Sequence, residues 1–382
     1  MMARTRYVVL VLFVMLGLHF ILSISHEGYG QATSLTRLTG KSSLTKSEPD
    51  SSPSREVPEP YRSAAPLMSA RKANATIVAL ARNSDLKGIL KSMRQLEDRF
   101  NRQFQYPYTF LNEVPFSDQF KEGVSALTTA PIEFGLIPHD DWFQPDWIDE
   151  EKATKARETM VKNEVIYGGS VPYRNMCRYN SGFFYRHPLM MKYRYYWRID
   201  PDVTFYCDLD YDPLLFMEEN KKVYGFNIAL PEYGETITTL WDTVKEFINE
   251  NPDMIPKDNG MQFISDDNGE TYNRCHFWSN FEIADMDFWR AEAYSKYFDA
   301  LDAAGGFYYE RWGDAPVHSI GAALLAPKDK LHFFNDIGYR HEPFEHCPMS
   351  DAHKRGHCWC TGEDNFDYHW YSCLPKYDQM LA

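Results

Sequence analysis

The stretch YYWRIDPDVTFYCDLDYD, residues 195–212, decides the fold of this chain. An aromatic run over 193–199 predicts a strand, and Pro201 cannot continue a central strand because it has no N–H for the ladder. Asp200 and Asp202 are therefore expected at the end of that strand. Ligands of open α/β sheets bind beyond the carboxyl ends of the strands, so this Asp-x-Asp is a candidate for holding a divalent cation against a phosphate. A plain turn is the alternative, because Asp and Pro are common turn residues.

The sequence on either side of this stretch alternates between strand and helix patterns. Short apolar runs predict further strands at 76–80, 108–111, 132–137 and 223–227. Apolar residues with a 3.6-residue period predict helices at 86–100, 146–162, 236–249 and 285–304, the last of which ends at Gly305. Such alternation is typical of a mainly parallel α/β domain.

The composition is that of a globular protein with an acidic balance. Of the 382 residues, 44% are hydrophobic and 25% are charged, and the formal net charge is −14. This charge argues against a general nucleic-acid binder, which needs a basic face to replace the counterions of the phosphate backbone. An acidic protein can still bind an anionic small substrate if a metal ion or local arginines offset the repulsion.

The amino-terminal part has three segments of different composition. Residues 1–6 carry two arginines, and 7–24 form an almost unbroken apolar run that as a helix would rise about 27 Å, close to the thickness of a bilayer core. This pattern predicts a cytoplasmic tail and an uncleaved signal-anchor helix, with a cleaved signal peptide as the alternative. Residues 25–72 are rich in Ser, Thr and Pro and predict a luminal stem. One globular domain is expected over 73–382.

The cysteines are concentrated towards the carboxyl terminus. The chain has seven of them, and four lie beyond residue 346. In an oxidising lumen such a cluster predicts disulfides that pin the carboxyl-terminal segment, with at least one thiol left over because seven is odd. A zinc site is the alternative, since His353 and His357 have a spacing found among zinc ligands.

Several charged residues lie where a ligand could bind. Arg82 follows the first predicted strand and could pair with a diphosphate by bidentate hydrogen bonds, or it could be an ordinary surface arginine. Arg198 ends an aromatic strand and, if buried, must find carboxylate or phosphate partners. Asp208 and Asp210 are rivals of the first Asp pair as metal or nucleotide ligands. Asp212, which precedes a proline, predicts a helix N-cap.

Three further candidates lie in the second half of the chain. Glu282 follows a dense polar and aromatic run and could act as a nucleophile beside a developing oxocarbenium ion, or it could simply begin a helix. Asp314 lies in FYYERWGDAPVHS, residues 307–319, which predicts a ligand-binding loop shaped by its glycine and proline. His341 in IGYRH is a candidate ligand for a metal such as manganese, with a structural histidine as the alternative.

Four segments together resemble one known family. WRIDPDVTFYCDLDYDP, WSNFEIADMDFWR, YYERWGDAPVHSI and IGYRHEPF, in this order and spacing, resemble the fungal Golgi α-1,2-mannosyltransferases of glycosyltransferase family 15. The predicted tail, anchor and stem also match the type II membrane layout of that family. The resemblance implies a GT-A-type nucleotide-sugar fold, that is, a single large α/β catalytic domain with a mixed, mainly parallel sheet in the Golgi lumen.

The resemblance also implies an activity and a set of catalytic residues. The donor would be GDP-mannose and the cofactor Mn²⁺, and mannose would pass to a mannose hydroxyl of N- or O-linked glycans on glycoproteins with the α configuration retained. By motif, Glu282 matches the proposed nucleophile, Asp314 a carboxylate near the acceptor, and His341 the metal ligand. Tyr173 in SVPYRN matches a tyrosine close to the donor sugar.

The nucleotide-sugar contacts implied by the resemblance are Arg82, Arg198, Asp200 and Asp202. The usual Glu-Pro-Asp of the family is Asp-Pro-Asp in this chain, so the first carboxylate reaches one methylene less far. We therefore expect this pair to position the nucleotide, the acceptor or metal-bound water, and His341 to contact the metal directly.

Two other functions and two chemical routes stay open at this level. The same fold could transfer mannosylphosphate or act as an accessory protein in that pathway, and a catalytically degenerate relative could bind glycans without transferring them. A retaining transferase could work through a covalent mannosyl-enzyme or through attack from the leaving-group face.

Overall fold

A seven-stranded sheet lies at the centre of the computed structural model, which describes residues 71–382. The strands are β1 (Ala75–Leu80), β2 (Tyr108–Asn112), β3 (Ile132–Leu136), β4 (Tyr195–Ile199), β5 (Thr204–Phe205), β6 (Tyr224–Phe226), β7 (Ala229–Pro231), β8 (Cys275–Phe277), β9 (Phe281–Asp285), β10 (Leu331–Phe333), β11 (Tyr339–His341) and β12 (Phe344–His346). The order in the large sheet is β10-β6-β9-β4-β1-β2-β3. Its pairs are parallel except those of β9, which runs antiparallel to β4 and β6. The predicted mixed, mainly parallel sheet is confirmed.

Helices cover both faces of this sheet. They are α1 (Leu86–Leu96), α2 (Arg102–Phe104), α3 (Asp118–Ser125), α4 (His139–Trp142), α5 (Glu150–Lys162), α6 (Val171–Gly182), α7 (Pro213–Glu219), α8 (Leu240–Glu250), α9 (Met261–Ile264), α10 (Met286–Arg290), α11 (Glu292–Ala304), α12 (Gly306–Tyr309), α13 (Asp314–Leu325), α14 (Ser350–Arg355) and α15 (Leu374–Leu381). Two smaller sheets, β12-β11-β5 and β7-β8, extend the structure beside the large one.

The central strand β4 shows why the chain needs two apolar layers. Tyr195, Trp197 and Ile199 belong to one buried cluster, whereas Tyr196 between them belongs to the other. Successive side chains of a strand point to opposite faces, so a strand that has buried apolar side chains on both faces must be covered on both sides. The aromatic run of the opening stretch therefore forces the helix–sheet–helix layering.

Two of the predicted elements near the carboxyl half differ from the structure. The helix predicted at 285–304 is two helices, α10 and α11, because the backbone is extended at Ala291. Glu282 lies inside β9, so the alternative that it begins a helix is wrong. The predicted end at Gly305 is confirmed, since this residue has φ 73°, the left-handed conformation that glycine adopts without steric cost.

The loop predicted over 307–319 is also wrong in part. Helix α13 begins at Asp314, with Gly313 as its N-cap residue. Pro316 lies in the first turn of this helix, where a proline is tolerated because the N–H it lacks has no partner within the helix. The glycine and proline were signals of a helix start.

Three disulfides pin the carboxyl-terminal segment, as predicted. They are Cys207–Cys358, Cys275–Cys373 and Cys347–Cys360, and Cys177 is a free, buried thiol. Among the described residues the only cluster with metal-ligand spacing is Cys347, His353 and Cys360. Its two sulfurs are bonded to each other, so they are not available as zinc thiolates, and the zinc alternative is not supported.

The predicted tail, the signal-anchor and the stem up to residue 70 lie outside the described residues. Within residues 71–382, no helix combines the length and the apolar content that crossing a bilayer requires. All the described residues belong to one compact unit.

Removing a disulfide should destabilise this unit more when the loop that the disulfide closes is longer. We expect replacement of both cysteines by alanine to cost about 3 kcal/mol for Cys347–Cys360, which spans 13 residues. Loss of Cys275–Cys373, which spans 98 residues, should cost nearer to about 4.7 kcal/mol. Urea unfolding of the full chain measures both. Cys177→Ala, which removes a buried sulfur without opening a loop, is the control, and equal losses for the two pairs would contradict the loop-entropy explanation.

Candidate active site

The Asp200-Pro201-Asp202 turn follows β4 directly and is fixed against helix α1. The hydroxyl of Ser92 donates to the carbonyl of Asp200 at 2.8 Å, and the Asp202 amide donates to the carbonyl of Gly88 at 3.1 Å. A Cβ on Gly88 would lie 2.6 Å from a carboxylate oxygen of Asp202, so only glycine permits this approach. Asp202 has φ 64°, a conformation that Asp tolerates better than most residues. The turn is therefore held in one conformation at the end of β4, where the sequence predicted it.

Arg198, the penultimate residue of β4, joins two carboxylates. Its Nε lies 3.0 Å from Oδ1 of Asp200, and its Nη1 lies 2.6 Å from Oδ2 of Asp314. Burial alone would lower the pKa of Arg198, but the two carboxylates outweigh it and hold the pKa well above its ordinary value. The expectation that this arginine finds carboxylate partners is confirmed.

Asp314 is held by several favourable partners at the start of α13. Besides Arg198, the hydroxyl of Ser279 donates to its Oδ2 at 2.9 Å, and the N-terminal end of a helix favours a negative charge. Burial would raise the pKa of Asp314, but the charge of Arg198 outweighs it and the pKa is lowered. This carboxylate is consequently an ionised hydrogen-bond acceptor and a weak base.

Glu282 is completely buried, and three side chains converge on its carboxylate. Tyr196 donates to Oε2 at 2.7 Å, Tyr224 donates to Oε1 at 3.0 Å, and Nδ1 of His318 lies 2.7 Å from Oε1. Tyr196 comes from β4 and Tyr224 from β6, the two neighbours of β9, while His318 comes from α13. Three hydrogen-bonding partners hold this carboxylate in one orientation.

One proton is shared between Glu282 and His318. The other ring nitrogen of His318, Nε2, lies 2.9 Å from the carbonyl of Asn180, and a carbonyl can only accept, so Nε2 carries a hydrogen. The short contact between Nδ1 and Glu282 then requires a second hydrogen, either on the imidazole or on the carboxyl group. Burial would lower the pKa of His318, but the charge of Glu282 outweighs it and raises the pKa. We therefore assign an imidazolium–carboxylate pair.

Two neighbouring cavities link these groups. An open cleft of about 280 Å³ is lined by Arg82, Asp85, Asn112, Glu113 and Arg198, with Asp200 and Pro201 at one side. A deeper cavity of about 20 Å³, room for about one water molecule, reaches Glu282 and Tyr196. Leu80, Asn180 and Arg198 line both. The cleft lies at the carboxyl ends of β1, β2 and β4, where an open α/β sheet binds its ligand.

The remaining predicted nucleotide ligands divide between the cleft and the surface. Arg82 lines the cleft and is exposed. Asp202 is 73% exposed in its side chain and lies 3.9 Å from the ammonium of Lys91. Asp208 pairs with Arg99 and does not line the cleft. The confirmed N-cap is Asp212, whose Oδ1 accepts from the amides of the next helix at 3.0 Å.

Tyr173 lies in the first turn of α6. Its ring stacks on the ring of Tyr167, with 4.5 Å between the centroids. The guanidinium of Arg311 lies over the Tyr173 ring, 5.2 Å from its centroid. Burial raises the pKa of Tyr173 well above its ordinary value, so its phenol keeps the proton. Arg311 in turn lies 3.4 Å from a carboxylate oxygen of Glu232.

His341 has the hydrogen-bond pattern of a metal ligand. Its Nδ1 lies 3.1 Å from the carbonyl of Glu342, so this nitrogen carries the hydrogen and Nε2 keeps a free lone pair. Arg340 pairs with Thr204 in the antiparallel pair of β11 and β5. Continuing this register by one residue places His341 opposite Val203, which directly follows Asp202. The register therefore places His341 beside the end of the Asp200-Pro201-Asp202 turn, and imidazole and carboxylate are donor types that suit a divalent cation of the Mn²⁺ class.

Sequence reasoning missed several of the side chains that build the site. Tyr196 and Tyr224 are hidden in apolar strand patterns, and no feature of the sequence distinguishes them from ordinary core tyrosines. The motif containing His318 was noted, but its pairing with Glu282 could not be anticipated because 36 residues separate them. Helix α6, which holds Tyr173 and Asn180, was not predicted since its buried side chains are largely polar.

The chain matches characterised proteins over most of its length. A family model described as glycolipid 2-alpha-mannosyltransferase matches residues 32–381. Glycolipid 2-alpha-mannosyltransferase 1 of Candida albicans is 54% identical over 307 residues, which are 80% of this chain and 71% of the relative. The O-glycoside alpha-1,2-mannosyltransferase omh1 of Schizosaccharomyces pombe is 51% identical over 80% of this chain and 78% of its own length.

Solved structures agree with the sequence matches. The mannosyltransferase Ktr4p of Saccharomyces cerevisiae in complex with GDP is 41% identical, with a TM-score of 0.79 over 85% of this chain and 86% of that one. Core-mannan synthase A of Aspergillus fumigatus in an Mn/GDP form is 40% identical, with a TM-score of 0.77 over 82% and 86% of the two chains. The fold of the described residues is thus that of these α/β glycosyltransferases.

The His318–Glu282 pair should make stability depend on pH. Because the pKa of His318 is raised on folding, its contribution is complete below the ordinary value of about 6.5 and is lost as the pH rises through the raised value. His318→Asn should therefore cost more free energy of unfolding at pH 6 than at pH 9, as measured by urea unfolding at both values.

Two other histidines calibrate this experiment. His346, buried and paired with Asp367 at 2.8 Å, has its pKa raised in the same way, so His346→Asn should show the same pattern. His139 is exposed, and His139→Asn should change nothing. An equal cost of His318→Asn at both pH values would contradict the imidazolium assignment.

Proposed function

This chain belongs to the glycolipid 2-alpha-mannosyltransferase family, and on that basis we propose that it transfers mannose from GDP-mannose to a mannose hydroxyl of a glycan, forming an α-1,2 linkage with retention of configuration. The observation that carries the proposal is Arg198. This one side chain binds the carboxylate at the nucleotide cleft and the carboxylate of Asp314, and it lines the passage to Glu282. The proposal thus assigns the donor to the cleft beside Asp200 and the acceptor to Asp314. The buried carboxylate of Glu282 lies next to both.

The donor nucleotide is proposed to occupy the cleft beyond β1, β2 and β4. Arg82 can pair with the diphosphate from the exposed rim, while Asp200 and Asp202 position the nucleotide and its metal-bound water. His341 would hold Mn²⁺ through Nε2, supported by the Mn/GDP form of the Aspergillus fumigatus relative. When bound, such an ion supplies Lewis-acid stabilisation of the negative charge on the departing diphosphate.

Glu282 is proposed to face the positive charge that develops on the sugar. In the reaction the bond from the anomeric carbon to the GDP oxygen breaks, and a bond to the acceptor oxygen forms on the same face. Tyr196, Tyr224 and His318 fix the Glu282 carboxylate in place, so it stabilises an oxocarbenium-like transition state by electrostatic preorganisation. Because three donors already occupy its two oxygens, we favour this role over formation of a covalent mannosyl-enzyme.

Asp314 is proposed to orient the acceptor hydroxyl by accepting its hydrogen bond. Pairing with Arg198 lowers the pKa of Asp314 and makes it a weak base, which suits a group that fixes the hydroxyl and takes up its proton only late in the transfer. Tyr173, protonated and adjacent, can donate a hydrogen bond to a sugar oxygen in the same space.

We propose the Golgi lumen as the compartment and residues 7–24 as the membrane anchor. The disulfides among the described residues support an oxidising compartment, because structural disulfides rarely persist in the cytosol.

Glu282→Gln should lower the turnover number by a factor on the order of 10²–10³. The neutral amide keeps the shape but loses the negative charge opposite the sugar, while the nucleotide cleft is untouched. Transfer from GDP-mannose to α-methyl mannoside with Mn²⁺ measures turnover, and calorimetry measures GDP binding, which should not change.

Glu97→Gln is the matched control for this substitution. Glu97 is also buried and accepts a tyrosine hydrogen bond, from Tyr108 at 2.8 Å, but it does not line either cavity. A folded Glu282→Gln protein with near-normal turnover would remove the proposed role. Phosphate in the product would show mannosylphosphate transfer instead.

His341→Ala should raise the Mn²⁺ concentration needed for half-maximal GDP binding by at least about tenfold, since a direct ligand is lost. Titration of the full chain with GDP at several Mn²⁺ concentrations measures this, and GDP binding without metal should be unchanged. His139→Ala, at an exposed histidine, is the control. An unchanged Mn²⁺ dependence would exclude His341 as the ligand.

A further inference from the structure

Beside the acceptor side of the site lies an exposed aromatic surface that the proposed reaction does not use. It consists of Glu232, Tyr233, Arg274, Trp370 and Tyr371, and we name it the aromatic ledge. Trp370 is 85% exposed and Tyr233 is 54% exposed. Exposed large aromatic side chains that lie together mark a binding surface more often than chance placement does.

The segment that carries Trp370 and Tyr371 is tied to a hairpin. The hydroxyl of Tyr371 donates to the carbonyl of Pro231 at 3.4 Å, and the disulfide Cys275–Cys373 fixes the segment two residues further on. Strands β7 and β8, which carry Pro231 and Cys275, pair in antiparallel fashion. An aromatic ring that is exposed yet held in place loses little entropy when it binds a ligand.

The ledge is continuous with the segment that carries Asp314. The Glu232 carboxylate accepts from the amide of Tyr233 at 2.8 Å and lies 3.4 Å from the guanidinium of Arg311. A Cβ on Gly313 would lie 3.4 Å from the same carboxylate. Gly313 directly precedes Asp314, so Glu232 connects the proposed acceptor carboxylate to the ledge.

The polar groups of the ledge suit a neutral polyhydroxyl ligand. Arg274 is exposed, and among the described residues its guanidinium has no carboxylate partner within ion-pair distance. The carbonyl of Arg274 accepts from the amide of Glu232 at 2.8 Å, and a Cβ on Gly234, the residue after Tyr233, would lie 3.2 Å from its Nη1, so Arg274 belongs to the ledge. Arginine and carboxylate groups hydrogen-bond sugar hydroxyls, while aromatic rings pack on the apolar C–H faces of the sugar.

We propose that the aromatic ledge binds the inner mannose units of the acceptor glycan, on the side away from the hydroxyl that receives the new sugar. This inference rests on the proposed function, since it assumes that Asp314 faces the acceptor. The net charge of −14 and the absence of a basic cluster on the ledge make an anionic membrane surface a poor occupant.

Acceptors of different length test the ledge separately from catalysis. In the full-length chain, Trp370→Ala should raise KM for a linear mannotriose by about three- to tenfold, the factor that the loss of one aromatic contact gives. KM for α-methyl mannoside, KM for GDP-mannose and the turnover number should stay unchanged, and Trp370→Phe should restore most of the affinity. Trp147→Ala, at another half-exposed tryptophan, is the control and should change neither acceptor.

Direct binding separates failure of the ledge from failure of the proposed function. Mannotriose should change the tryptophan fluorescence of the unmodified protein and not that of Trp370→Ala. Binding without transfer would overturn the proposed function and leave the ledge supported. Equal KM changes for both acceptors, or none for either, would overturn the ledge. Loss of binding to phosphatidylcholine–phosphatidylserine vesicles in Trp370→Ala with an unchanged KM would assign the surface to a membrane and also overturn the proposal.

Discussion

A buried guanidinium must be compensated by carboxylates, and the site of this protein is arranged around that requirement. Arg198 sits near the end of the central strand β4 and binds Asp200 beside it and Asp314 from helix α13. Removing either carboxylate would leave the guanidinium with a single charged partner in a largely enclosed site. The ion pair therefore fixes the position of α13 against the sheet edge. It also fixes the distance between the cleft and Asp314, the carboxylate proposed to bind the acceptor.

A second charge pair lies deeper along the same strands. Glu282 on β9 is opposite Arg198 in the β4–β9 register, and it shares a proton with His318 one turn further along α13 than Asp314. Helix α13 thus contributes to both pairs, and β4 supplies both Arg198 and the tyrosine that donates to Glu282. Because the two pairs have these elements in common, the electrostatic environment of the transferred sugar follows from how one helix docks on two strands.

Five strands of the large sheet could be predicted from the sequence, whereas β9, β10, the short strands of the smaller sheets and some helices could not. Apolar runs such as 76–80 and 108–111 are buried on both faces, so hydrophobicity alone marks them. Helix α6 escaped prediction because it buries polar side chains through hydrogen bonds, and burial of that kind leaves no apolar period. The segment 307–319 was predicted as a loop because glycine and proline mark a helix start as well as a loop.

What the sequence determined by itself was the chemistry available and its order along the chain. Local residue types are enough to predict the Asp-x-Asp turn after an aromatic strand, the cysteine-rich end and the four motifs in their order. Turns, strands and disulfide content depend mainly on local composition. Only the tertiary structure decided which of these groups meet. Three features join residues that are far apart in sequence. They are the pairing of Arg198 with Asp314, the proton shared by Glu282 and His318, and the ledge beside Glu232. Such contacts arise when helices pack on the sheet. No local sequence pattern specifies which distant residue a side chain will contact.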